Sequence, residues 1–222
     1  MNPLRHSFIN SLHATHPPPL HKLRYLDVGC GGGIFAESAA RLKHTASVTG
    51  LDPTPEVVKV AEAHMLSDPA LCETQDGAEP KLRYVNKSIE ELKLPQNEEE
   101  QYDVLALWEV IEHISHPAPF LESCMEFVRP GGWLVGSSIA RTWTSWATTK
   151  LVAEDLIGIV PRGTHDWEKY INDDELAGFF ATKQGWSDMK AMGCIYAPGI
   201  GWKMVPGSEK WGNYFFAARR NS

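Results

Sequence analysis

The chain has 222 residues, 43% hydrophobic and 22% charged, with 21 basic against 28 acidic side chains and a formal net charge of −7. These figures exclude a disordered or collagen-like chain and suit one domain with a sizeable core. The acidic balance argues against a nucleic-acid partner, which would call for clustered Lys and Arg. Cys30, Cys72, Cys124 and Cys194 are scattered singly, without a CxxC pair, so they read as free thiols in a reducing compartment and not as zinc ligands or a disulfide framework. No window approaches the run of about twenty apolar residues that spans a bilayer, and no secretory pattern opens the chain. A soluble or peripheral chain is expected, with an upstream targeting segment left open.

In chain order, residues 1–23 have little apolar periodicity and contain Pro17-Pro18-Pro19, so they read as a lead-in outside the core. Tyr25-Leu26-Asp27-Val28 is a short buried strand, followed by the turn Gly29-Cys30-Gly31-Gly32-Gly33 and a helix through Leu42. Ser47 to Asp52 is a second strand, and Pro53 to Ser67 a second helix with Val57, Val58, Ala61 and Met65 at helical spacing. Leu82-Arg83-Tyr84-Val85 is a third strand between two polar stretches, Glu73 to Lys81 and Pro95 to Gln101, that read as surface loops. Tyr102 to Trp108 is the most apolar strand. A helix from about Pro119 to Val128, the turn Pro130-Gly131-Gly132, a strand at Trp133 to Ser138 and a late strand at Asn213 to Ala218 complete the pattern. Strands alternating with helices imply an α/β fold whose parallel sheet is covered on both faces, with a ligand at the carboxyl ends of the strands.

The glycine turn between strand and helix lets the backbone approach a ligand closely, so Gly29 and its neighbours are cofactor-binding candidates. Gly31, Gly33 and Ala36 also satisfy GxGxxA, with Asp52 about the right distance on for a ribose hydroxyl, which keeps a nicotinamide-dependent oxidoreductase as an alternative. Asp27 counts against it: a carboxylate beside the turn repels a pyrophosphate and attracts a cationic sulfonium and an amino group, which favours S-adenosylmethionine. In Ser88-Ile89-Glu90, Ile89 would sandwich an adenine and its neighbours hydrogen-bond it; a helix N-cap at Ser88 explains the triplet equally well.

Glu109, Glu112 and His113 follow the fourth strand at spacings of three and one, so a helical turn there would aim all three to one side. Two carboxylates and an imidazole form an oxygen-rich set suited to Mg²⁺; a solvent-facing acidic turn is the alternative. His113 is also a candidate general base, as is His165 with Asp166 to orient it. Between residues 141 and 166, Val152, Leu156, Ile159 and Val160 keep helical spacing near Trp143 and Trp146, which reads as a lid or as a segment lying in a membrane interface.

Leu26 to Gly33, Thr49-Gly50-Leu51-Asp52, Tyr102-Asp103-Val104, Glu109-Val110-Ile111-Glu112-His113, Arg129-Pro130-Gly131-Gly132 and Pro161 to Asp166 together resemble the ubiquinone-biosynthesis O-methyltransferases. These are class I S-adenosylmethionine-dependent enzymes that methylate polyprenylated catechols, and the likeness runs from Asn2-Pro3-Leu4-Arg5 to the last strand. The resemblance implies a Rossmann-like fold with a mostly parallel seven-stranded sheet. It divides the chain into residues 1–23, which contribute to the cofactor pocket, and a methyltransferase domain at 24–222. It implies Arg5 near the methionine carboxylate, Gly31 against the cofactor, Asp52 on the ribose hydroxyls and Trp108 lining the pocket. It further implies Mg²⁺ at Glu109, Glu112 and His113, a polyprenylated catechol acceptor and a membrane surface as partner. A ubiquinone-biosynthesis complex on the matrix side of the mitochondrial inner membrane is implied, or the cytoplasm in a bacterium; the polar insertions favour a mitochondrial member. An inactive cofactor-binding scaffold subunit of such a complex is the alternative from a different functional class.

Overall fold

The structure, a computed structural model, describes residues 1–72, 80–141, 170–187, 189–197 and 199–222. His165, Asp166 and nearly all of the apolar 141–166 segment lie outside the described residues. Eight strands form one sheet: β1 (Leu23–Val28), β2 (Thr45–Leu51), β3 (Leu82–Val85), β4 (Tyr102–Trp108), β5 (Val128–Ile139), β6 (Lys190–Ala197), β7 (Gly201–Val205) and β8 (Asn213–Arg219). Their order is β3-β2-β1-β4-β5-β8-β6-β7. The first five pair in parallel, β8 runs antiparallel to both β5 and β6, and β6–β7 is an antiparallel ribbon at the edge. The expected fold is therefore present with eight strands where seven were expected. In the edge ribbon Tyr196 faces Trp202 across the strands, their rings 5.5 Å apart, a pairing that stabilises an otherwise half-covered ladder.

The helices are α1 (Asn2–Thr15), α2 (Ile34–Ala40), α3 (Pro55–Leu66), α4 (Pro69–Cys72), α5 (Pro117–Met125) and α6 (Asp173–Ala181). Proline opens α3 and α5 and lies in the first turn of α1, where its missing N–H has no intrahelical partner to lose. β4 shows how the sequence covers both faces. All seven of its residues are buried; Val104, Ala106 and Trp108 point to one core with α1 and α2, while Leu105 and Leu107 point to the other with α5 and α6. A parallel strand covered on both sides reads as a continuous apolar run, not as an alternation.

The reading of residues 1–23 as a lead-in outside the core is corrected for α1. Phe8, Ile9 and Leu12 are 2–3% exposed and pack with Tyr25, Phe35, Trp133 and Phe215. The proline run only ends this helix. A residue before proline is driven out of the helical region, and His16 accordingly sits at φ −134°, ψ 92°.

Candidate active site

β2 and β3 lie to one side of β1 and β4 to the other, so the winding direction reverses between β1 and β4 and leaves a crevice at their carboxyl ends. The turn after β1 forms its floor. The N–H groups of Gly29 and Cys30 both donate to the Leu51 carbonyl, at 2.7 and 3.0 Å, which ties the turn to the end of β2. Gly29 has φ +69°, and a Cβ there would stand 2.6 Å from Val110 Cγ2. Gly31 has φ +51° and nothing within 4 Å of where its Cβ would be. The first glycine is required by packing against the loop after β4; the second leaves open space beside bare backbone.

Two carboxylates stand under this turn. Asp52 is 8% exposed and accepts from Gly31 N–H at 3.0 Å through Oδ2 and from Thr54 N–H at 2.9 Å through Oδ1. It bridges the turns after β1 and β2 while keeping acceptor sites free, since a carboxylate offers about four. Asp27 is 2% exposed. Burial pushes its carboxyl up to about 7, against the pull of the Arg5 guanidinium and a hydrogen bond from Ala36 N–H, and with an added push from Asp52.

Arg5 comes from α1. Its guanidinium lies 5.3 Å from the Trp108 ring centre and 3.1 Å from Glu109 Oε1. Its Nε is buried without a hydrogen-bond partner. Trp108 is packed edge-on against Phe35 and Phe215, so it supports Arg5 from the core and does not line the main crevice cavity.

That cavity, of about 370 Å³, is lined by Gly29, Asp52, Ile89, Glu109, Val110, His113, Ile114 and Phe120, among others. Of the expected site residues it gathers Gly29, Asp52, Ile89, Glu109 and His113. Ile89 is 1% exposed and opens a short 3₁₀ turn capped by Glu91, whose carboxylate accepts from Ser88 N–H at 2.7 Å. Capping and cavity lining thus coexist in one segment. Phe120, on α5, was not among the expected residues, because in sequence it is one more apolar position on a core-facing helix.

The expected convergence of Glu109, Glu112 and His113 is not present. Glu109 takes φ +59°, which breaks the chain away from a helical path, and Ile111–His113 then forms a separate 3₁₀ turn. Glu109 and His113 are exposed at the cavity; Glu112 turns inward, 6% exposed, with Oε2 lacking a hydrogen-bond partner. Burial pushes Glu112 up to about 7. Among the described residues no three His, Cys, Asp or Glu side chains form a group that could hold a metal ion.

Residues 4–188 match the family described as "Methyltransferase domain". The mitochondrial ubiquinone biosynthesis O-methyltransferase of Schizosaccharomyces pombe is 41% identical over 202 residues, covering 89% of this chain and 69% of the relative. The Candida albicans protein of the same name is 38% identical over 202 residues, with 89% and 58% covered. The ubiquinone biosynthesis O-methyltransferase of Methylobacterium nodulans is 34% identical over 226 residues, with 99% and 84% covered. The chain therefore spans little more than half the length of some mitochondrial relatives and most of the bacterial one. Among solved structures, the plantazolicin methyltransferase BpumL in complex with SAH superposes with a TM-score of 0.68 at 14% identity, over 98% of this chain and 82% of that one; this likeness bears on the fold alone.

The family match and the named relatives define an S-adenosylmethionine-dependent methyltransferase domain on this Rossmann-like fold, which removes the nicotinamide alternative. Within that class the chain belongs to the ubiquinone biosynthesis O-methyltransferase family.

Proposed function

We propose that this chain transfers a methyl group from S-adenosylmethionine to a catechol hydroxyl of a polyprenylated ubiquinone precursor. The observation that carries this reading is the crevice itself: open backbone at Gly31 above two nearly buried carboxylates, Asp27 and Asp52. A donor with a sulfonium and an ammonium group suits that charge. In this reading Asp52 takes the ribose hydroxyls with its free acceptor sites, Ile89 supplies an apolar plane for the adenine, and Arg5 reaches the donor's carboxylate.

The acceptor oxygen must stand roughly 3 Å from the methyl carbon, opposite the sulfur. A phenol of pKa about 10 is a poor nucleophile at neutral pH. In this reading His113, which borders the cavity, accepts the proton as the oxygen attacks. In the same displacement the oxygen–carbon bond forms and the carbon–sulfur bond breaks with its electron pair on sulfur, leaving S-adenosylhomocysteine with a neutral sulfur. His165 is the rival base.

For Mg²⁺, the donor types at Glu109, Glu112 and His113 are suitable and their placement is not, because Glu112 points away from the other two. Chelator decides the cation's part. Turnover lost in chelator and restored by Mg²⁺ supports a cation; unchanged turnover excludes it.

Peripheral attachment to a membrane and membership of a biosynthetic complex belong to the same proposal. No helix among the described residues is long and apolar enough to cross a bilayer. Liposome flotation of the wild type against a Trp143→Ser, Trp146→Ser double variant tests the attachment, and equal flotation rejects a role for that segment. The core of the proposal is tested by calorimetric titration with S-adenosylhomocysteine, followed by assay on a catechol analogue. Failure to bind the donor or its product at millimolar concentration sinks it.

A further inference from the structure

A second cavity, of about 350 Å³, lies between α5, the loop before it and the start of α6. Its apolar wall is built from Ile114, Leu121, Tyr170, Ile171, Leu176 and Phe179. Arg141 and Glu175, also at this cavity, are paired with each other at 2.5 Å, so their charges are compensated on the spot. Ile114 is a wall of both cavities, and it follows His113 directly. An acceptor ring held at His113 therefore has an apolar trough beginning one residue away.

We infer that this second cavity holds the apolar tail of the acceptor, running from the ring across Ile114 and along α5 to Phe179; the inference rests on the methyl-transfer reading above. A small polar acceptor would leave this lining in water, whereas an extended hydrocarbon substituent on the ring covers it. The occupant is assigned by that continuity with the donor cavity and by the lack, among the described residues, of an unpaired charge at the trough. Tail contacts are equally strong before and during transfer, since no charge develops on the tail, so they lower KM and leave kcat unchanged.

Ala118 provides the test. It is exposed, sits in the first turn of α5 at the trough, and lines no part of the donor cavity. Ala118→Trp fills the trough from the surface. With a catechol and its farnesyl-substituted counterpart as acceptors, the variant is expected to raise KM for the farnesylated one by about tenfold or more. Its kcat, and both constants for the tail-less catechol, should stay at wild-type values. Calorimetric titration with farnesol, below the concentration at which it aggregates, should show binding to the wild type that Ala118→Trp loses. Unchanged constants on both acceptors, or an equal loss on both, overturns the assignment, as does a short-chain phospholipid that binds here in preference to farnesol. A wild type that binds farnesol in an Ala118-dependent manner yet methylates neither catechol upholds the trough and defeats the methyl-transfer reading, so the two fail separately.

Discussion

Donor affinity should depend on pH through Asp27. Burial pushes its carboxyl up to about 7, and only the ionised form attracts a cationic donor. Once bound, the donor's ammonium and sulfonium pull that pKa down and hold the carboxylate charged. The apparent Kd then scales inversely with the ionised fraction of the free protein. For a pKa near 7 that fraction is about one in eleven at pH 6 and about three in four at pH 7.5, so S-adenosylmethionine should bind about eightfold more weakly at pH 6. The donor's own amino group, with a pKa of about 7.7–8.0, stays mostly protonated at both values. Calorimetric titration at the two pH values gives the ratio. Asp27→Asn should bind weakly with little pH dependence, while Glu112→Gln, which removes the other carboxyl raised to about 7, should keep the wild-type slope. A wild-type ratio within twofold, or an Asp27→Asn variant that retains the slope, refutes the role assigned to this carboxylate.

The same shifts fix the pH dependence of stability. Asp27 and Glu112 are raised from 3.8 and 4.5 to about 7, so between pH 4 and 7 the folded chain holds protons that the unfolded chain has released. Stability therefore falls as pH rises through that window and levels off above it. Thermal melts of Asp27→Asn and Glu112→Gln should show higher Tm than wild type at pH 8 and little difference at pH 4, with an upper bound of about 3–4 kcal/mol each. Gly29→Ala combines a positive φ with a clash on Val110; it should cost over about 1 kcal/mol in denaturant unfolding, and Val110→Ala in the same chain should recover the steric part only. Phe8→Ala, in the core under α1, should cost about 3–5 kcal/mol; a cost below about 1 kcal/mol would mean that α1 does not belong to the cooperative fold.

What could be read from sequence was what is local along the chain. β1, its glycine turn and α2 carry their signals within twenty residues, as do β4 and β5, so the parallel half of the sheet and the contributions of Gly29, Asp52 and Ile89 to the crevice followed from pattern alone. α1 did not, because its buried positions Phe8, Ile9 and Leu12 make a narrow stripe among histidines and serines, and the prolines after it resembled a linker. β6 and β7 were missed for a related reason. Gly193 interrupts β6, and β7, which opens on Gly201, has no fully buried residue, so neither strand carries a continuous apolar run. The contacts of Arg5 with Glu109 and Trp108 join residues about a hundred positions apart, and no spacing rule reaches that far. Glu112 lies away from where its spacing predicts because the chain leaves the helical region at Glu109.

That corner has a consequence of its own. Among the described residues, Glu109 is the only non-glycine residue in the left-handed region, a conformation that disfavours any residue with a Cβ by roughly 1 kcal/mol or more. Its N–H is held by Ser137 Oγ at 2.9 Å and its carboxylate by Arg5, so the surroundings impose the geometry. Selection for robustness alone would place glycine here and relax the backbone. A glycine would also sever the link that ties the opening helix to the mouth of the crevice, so the acidic side chain holds that link at the expense of conformational ease.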